Sequence, residues 1–161
     1  MAWFQDWDSD NGTMLPGSIK RASSSNDKVW GELNAKDDKL EYGTFVAVNA
    51  DGGIKKITAS SDVVHGIVVR DIYAGGAPAD KTVNVGHFSH GDCVCALTAD
   101  GQTFKRGDKA YIVAKGVDAG KVTAVPAGNL DLGYYVEEVS AGNNAVAITL
   151  GFVQAVGATG A

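Results

Sequence analysis

The chain has 161 residues, with 14 Lys and Arg against 19 Asp and Glu, for a formal net charge of −5. That length fits one domain with about 68% of the unfolded chain's surface buried on folding, a core that stands without metal or disulfide staples. The mild acidity and the scattering of basic residues ("KK" at 55–56, "KR" at 105–106) give no electrostatic footprint for nucleic acid, and no stretch approaches the roughly 20 apolar residues of a membrane span.

Residues 1–30 carry three tryptophans but no sustained hydrophobic period, and they are rich in Ser, Asp, Asn and Gly. This composition predicts an extended N-terminal arm rather than a packed unit. Disordered segments are normally poor in aromatics, so Trp3, Phe4, Trp7 and Trp30 are the candidate partner-binding residues. The arm has two readings: it orders on a partner surface, or its rings cover an open end of the chain's own barrel. The opening "MAWFQDWDSD" has neither the basic nor the apolar region of a signal peptide, so synthesis in a reducing cytosol is the expectation.

From about residue 40, short β-branched runs alternate with turn signals. "TFVAVNADGGIKKITAS" (44–60) reads as strand, Asp-Gly-Gly turn, strand. "VVHGIVVRDIY" (63–73) is apolar on both faces and reads as a central strand. "TVNVGHF" (82–88) and "DCVCALT" (92–98) read as a hairpin across "SHG". "DKAYIVA" (108–114), "KVTAV" (121–125), "LGYYVEEV" (132–139) and "NAVAITLGFV" (144–153) bring the total to eight or nine strands. Glycine stands at 21 residues against 3 prolines, which fits many tight turns. No window has a capped 3.6-residue apolar stripe. The fold class is therefore all-β, a small antiparallel β-barrel or jelly-roll-like sandwich, with an arm at 1–30, the β domain at 31–153 and a flexible tail at 154–161. In the last strand Val146, Ile148, Leu150 and Phe152 form a core face. Ala145, Ala147 and Thr149 form a flat small-residue face open to a second copy.

The one cluster of chemically active residues is "GHFSHGDCVC", with His87, His90, Cys93 and Cys95. Zinc knuckles built on cysteine use C-x₂₋₄-C spacing, whereas C-x-C in an apolar strand puts both thiols on one face, where free cysteine packs as a small hydrophobe. The reading is structural: half of a hairpin, with no metal, no cofactor and no catalytic set. His65, before Gly66, has no partner at motif spacing and reads as a strand-end histidine. "RGD" at 106–108 reads as a turn delivering Asp108 into a strand. Glu137 and Glu138 point to opposite faces, as do Tyr134 and Tyr135, and "GGAPAD" lacks the Lys and helix of a phosphate loop.

The order "GELNAKDDKLEYGTFVAVNADGGIKKIT", "VVHGIVVRD", "VNVGHFSHGDCVCAL", "FKRGDKAYIV" and "GNLDLGYYVEEVSAGNNAVAITL", covering roughly Gly31 to Leu150, resembles the structural cement, or capsid decoration, proteins of tailed bacteriophages. The resemblance implies a non-enzymatic protein on the outer surface of a virion capsid, made in the host cytoplasm. Its implied partners are the major capsid protein and copies of itself, a trimer before a dimer. The alternative from another class is a carbohydrate- or receptor-binding β-sandwich of a virion, which exposed aromatics on strands or binding loops would favour.

Overall fold

The structure, a computed structural model, describes residues 14–22, 28–35, 39–71, 75–140 and 144–151. Eleven strands run through them: β1 (Ile19–Arg21), β2 (Val29–Leu33), β3 (Phe45–Val48), β4 (Ile54–Lys56), β5 (Val64–Val68), β6 (Thr82–Gly86), β7 (Cys93–Leu97), β8 (Lys109–Ile112), β9 (Val122–Thr123), β10 (Leu130–Val139) and β11 (Ala145–Thr149). No helix occurs among the described residues. The strands form two antiparallel sheets, β1-β7-β11-β10-β8-β9 and β2-β6-β5-β3-β4. The expected all-β class is met as a sandwich, and each sheet curls enough for a parallel bridge between its distant strands, Asn34 to Ile54 and Thr98 to Val122.

The alternation of each strand sorts its residues into layers. Phe45, Ala47 and Ile67 of one sheet face Val94, Ala96, Ala110, Ile112, Val136, Val146 and Ile148 of the other, and Phe88 and Phe104 join this main core. The opposite face of the five-stranded sheet buries Val46, Val68, Val83, Val85 and Ile54 beneath Leu40, Tyr42 and Ala77. The sheet is thus apolar on both sides, as the run around Ile67 predicts, and β5 lies at its centre.

Two glycines join the sheets. Gly17 N–H donates to Cys95 O and Gly17 O accepts from Arg70 N–H, while Gly43 N–H donates to Val68 O and Gly43 O accepts from Leu97 N–H. Backbone at 17 and 43 thus bonds at once to β7 in one sheet and to β5, or the residues just after it, in the other. Both glycines have φ near +80°, at 81° and 75°. A Cβ at Gly43 would stand 2.8 Å from Gly17 N and 2.9 Å from Leu97 N.

Three expectations are corrected. Residues 82–88 and 92–98 do not form a hairpin, because β6 and β7 belong to different sheets. The "SHG" segment is a crossover, held by burial of Phe88 and by Asp92, whose carboxylate accepts from Ser89 N–H and pairs with Lys28. The arm does not extend to residue 30 as unpacked chain: β1 pairs with β7 and β2 with all of β6, and Met14 is buried. Nor is the small-residue face of β11 open. Ala145, Ala147 and Thr149 are buried, and Met14 packs with Cys93, Cys95 and Ala147. Above them Arg21 reaches Glu137 with two hydrogen bonds, 2.8 and 2.6 Å, and donates through Nε to Gly91 O.

Replacing Gly43 by Ala combines a left-handed backbone with backbone crowding, and a loss of about 3 kcal/mol in urea unfolding is expected. Gly107, with φ 90° and open space around it, is the control: its Ala variant should lose only about 1 kcal/mol. Equal losses at the two sites would contradict the crowded seam. Both cysteines are buried thiols outside any disulfide, and burial, with Glu137 and Cys95 adding to it, pushes the Cys93 thiol up to about 12. Native protein at pH 8 is therefore expected to react with an aromatic disulfide reagent only as fast as it unfolds. Rapid labelling before unfolding would show an accessible thiol.

Candidate functional site

The four residues of the "GHFSHGDCVC" cluster do not share a site. The cysteines lie under Met14, His90 is exposed in the crossover, and His87 stands beside Trp30 and His65. The last three, with Glu32, form the most organised polar and aromatic group among the described residues. It follows from strand register. Trp30 lies opposite Val85 and Glu32 opposite Val83, so both share the face on which His87 continues the alternation of Val83 and Val85. The main chain fixes His87 by donating its N–H to Lys28 O at 2.7 Å.

His65 arrives through a bulge. Val46 pairs with Gly66, but Ala47 pairs with Val64, leaving His65 as the extra residue on β5. Bulges re-aim side chains in this way. The neighbouring glycine leaves the space: a Cβ at Gly66 would stand 2.5 Å from Gly86 O and 2.8 Å from Val85 Cγ1, and 3.3 Å from His87 Nε2.

The rings of Trp30 and His87 stack with centroids 3.5 Å apart and planes 5° apart. His65 meets both edge-on, at 6.3 Å from Trp30 and 4.7 Å from His87. Glu32 Oε1 accepts from Trp30 Nε1–H at 2.8 Å and lies 3.2 Å from His65 Nε2. His65 Nδ1 lies 2.7 Å from His87 Nε2. Which ring donates in the His65–His87 bond follows from the tautomer of the pair. His87 Nδ1 is a buried atom with no hydrogen-bond partner among the described residues. Burial, and then the neighbouring His65, hold His87 below the ordinary histidine value. Trp30 keeps 45% of its surface exposed. One indole face is fixed against His87 and its N–H against Glu32 while nearly half of the residue stays exposed, an arrangement suited to anchoring a contact.

The remaining candidates fall elsewhere. Trp3, Phe4 and Trp7 lie outside the described residues. Asp108 accepts from Lys105 N–H in the "RGD" turn, and Glu137 and Glu138 pair with Arg21 and Lys20. Tyr134 packs in the main core, while Tyr135, across from Lys109, shares that lysine's ammonium with Tyr111. A paired lysine held by Asp131 at 2.6 Å thus occupies the space between the two outward tyrosines. Sequence reasoning picked out Trp30 but missed Glu32, His65 and His87 as its company. The available signal was His65-Gly66 inside a strand, since interior glycine often marks a bulge.

A search of curated proteins finds no match. Among solved structures, a chain from the capsid of Myoviridae phage XM1 has a TM-score of 0.69 at 21% identity, covering 93% of this chain and 98% of that one. At that identity the likeness speaks for the fold. The sequence itself matches the profile of the XM1 gp53 minor capsid protein family over residues 4–150. A match of that span places the protein: it belongs to the XM1 gp53 minor capsid protein family.

Proposed function

We propose that the protein decorates the outside of a phage head and cements contacts between major capsid protein capsomers. The observation that carries this reading is family membership across residues 4–150. A cement protein stabilises a shell by mass action, since it binds the assembled state and not free subunits. Several weak contacts made at once by a small oligomer multiply that effect. The oligomer proposed is a trimer, then a dimer. The face of β11 is not its interface, because Ala145, Ala147 and Thr149 are already buried within one chain.

The capsid-facing residues proposed are Trp30 and, in the arm, Trp3, Phe4 and Trp7. Half-exposed aromatic rings held in one orientation make good anchors, because little entropy is lost when they are covered. Trp30 is such a ring, stacked at 3.5 Å on His87 and bonded to Glu32.

Two experiments test the proposal. Trp30→Ala is expected to weaken binding to undecorated capsids about 30-fold, the equivalent of about 2 kcal/mol, while unfolding stability falls by no more than about 1 kcal/mol. Unchanged capsid affinity would remove Trp30 from the interface. Deleting residues 1–13, which leaves β1 whole, is expected to preserve melting behaviour while decorated heads lose the protein on heating. A variant that melts far earlier yet fully decorates capsids would show the arm serving its own domain.

A further inference from the structure

β2 stands at one edge of the five-stranded sheet. The bonds at its two ends fix which way each residue turns its main chain. His87 N–H donates to Lys28 O, and Asn34 N–H donates to Lys81 O. Bonded and non-bonded pairs alternate along an antiparallel ladder. Trp30 and Glu32 therefore turn their main chain toward β6, while Val29, Gly31 and Leu33 turn theirs outward. At Leu33 the β3–β4 turn closes the edge: Asn34 bridges Ile54, and a Cβ on Gly53 would stand 2.2 Å from Leu33 O. Val29 and Gly31 have no main-chain bond on the outward side among the described residues, and Gly31 is exposed.

An open edge is a template for another strand. The usual devices that blunt an edge are not in place at β2, which contains neither proline nor bulge. The charged side chains beside the opening are drawn back onto their own sheet, Lys28 to Asp92 and Ser89, and Glu32 to Trp30 and His65.

We propose that β2 pairs antiparallel with β2 of a second copy of the chain, across a two-fold axis at Trp30. Outward residues alone can exchange bonds across the edge, and the open ones are Val29 and Gly31. That fixes the register: Val29 lies opposite Gly31 of the second copy and Gly31 opposite Val29 of the second copy, each pair exchanging two main-chain bonds. Gly31 brings no side chain to crowd the valine. Trp30 meets Trp30 of the second copy in the closely spaced non-bonded pair between them, where aromatic pairs across strands are favourable. Lys28 comes opposite Glu32 of the second copy, so unlike charges face each other on both sides of the axis. A register centred on Gly31 would instead set Val29 against the closed Leu33, losing that pair's bonds and the match of charges. A self-paired edge is two-fold, so this contact builds the dimer rather than the trimer. It forms in solution without capsid, and its failure would leave the cementing reading untouched.

Amide exchange of the wild-type protein, followed by NMR between about 5 and about 500 μM beside sedimentation, tests the pairing. The N–H groups of Val29 and Gly31 are expected to exchange roughly fourfold more slowly at the higher concentration, in step with dimer formation. That change corresponds to a dissociation constant of about 50 μM, at the weak end expected of a small interface. Trp30 and Glu32, which face β6, should be protected at both concentrations. With the native thiols buried, Trp30→Cys should form an interchain disulfide on mild oxidation, because the pair at the axis brings its Cα atoms within bridging range. Glu32→Cys should not. If these variants do not fold, exchange in the wild type still decides. A protein that stays monomeric with both amides exchanging freely overturns the pairing. So does protection at every concentration, which would mean that the chain's own residues cover the edge. Protection that appears only on adding capsids overturns it too, and gives the edge to a capsid strand. A disulfide through Glu32→Cys but not Trp30→Cys overturns the pairing in this register.

Discussion

The two sheets are held in register by main chain, not only by the apolar layer between them. At Gly17 and Gly43 the backbone of one segment bonds to β7 on one side and to the β5 region on the other. No side chain fits there, and neither φ suits one. Apolar burial is non-directional and would tolerate the sheets sliding over each other; these four bonds do not. They also bring residues 14–22 into the fold. Once Gly17 is fixed, Met14 falls over the cysteines and Arg21 within reach of Glu137.

The same constraint reaches the Trp30 cluster from a distance. Gly43 precedes Thr44, whose carbonyl accepts from Val68 N–H, and so leads directly into β3. That strand's pairing with β5 slips at Ala47 and creates the bulge at His65. Sheet registration, bulge and histidine pair therefore form one chain of cause. Gly66 leaves room beside His87 Nε2 that a Cβ would fill, and the indole of Trp30 is the cluster's exposed part.

Where local pattern decides structure, the sequence was readable. The Asn-Ala-Asp-Gly-Gly turn gives the β3–β4 hairpin. The two-sided apolar run gives a central β5, and the alternation of Val146 and Ile148 gives a core face. The crossover at 86–92 was misread because a hairpin and a change of sheet use the same Gly and Ser residues. What separates them is the burial of Phe88 and the Asp92–Lys28 pair, both tertiary facts. Trp30 stood out by type alone. Its partners are set by the β2–β6 register and by a one-residue slip, and neither leaves a mark within any short window.

The crossover also orders events in time. Because β6 and β7 separate into different sheets, β1 waits for β7 and β2 waits for β6, with Ile19 meeting Val94 and Val29 meeting Gly86. On a ribosome moving at about 5–20 residues per second, those early strands stay without their partners for several seconds. Pairings this distant in sequence make for slow closure, and strand edges left open over that interval are where misassembly begins. The seam at Gly17 therefore closes only after β7 has followed it out, and the sheet that carries it is complete only once β11 has been made and Ala147 meets Met14.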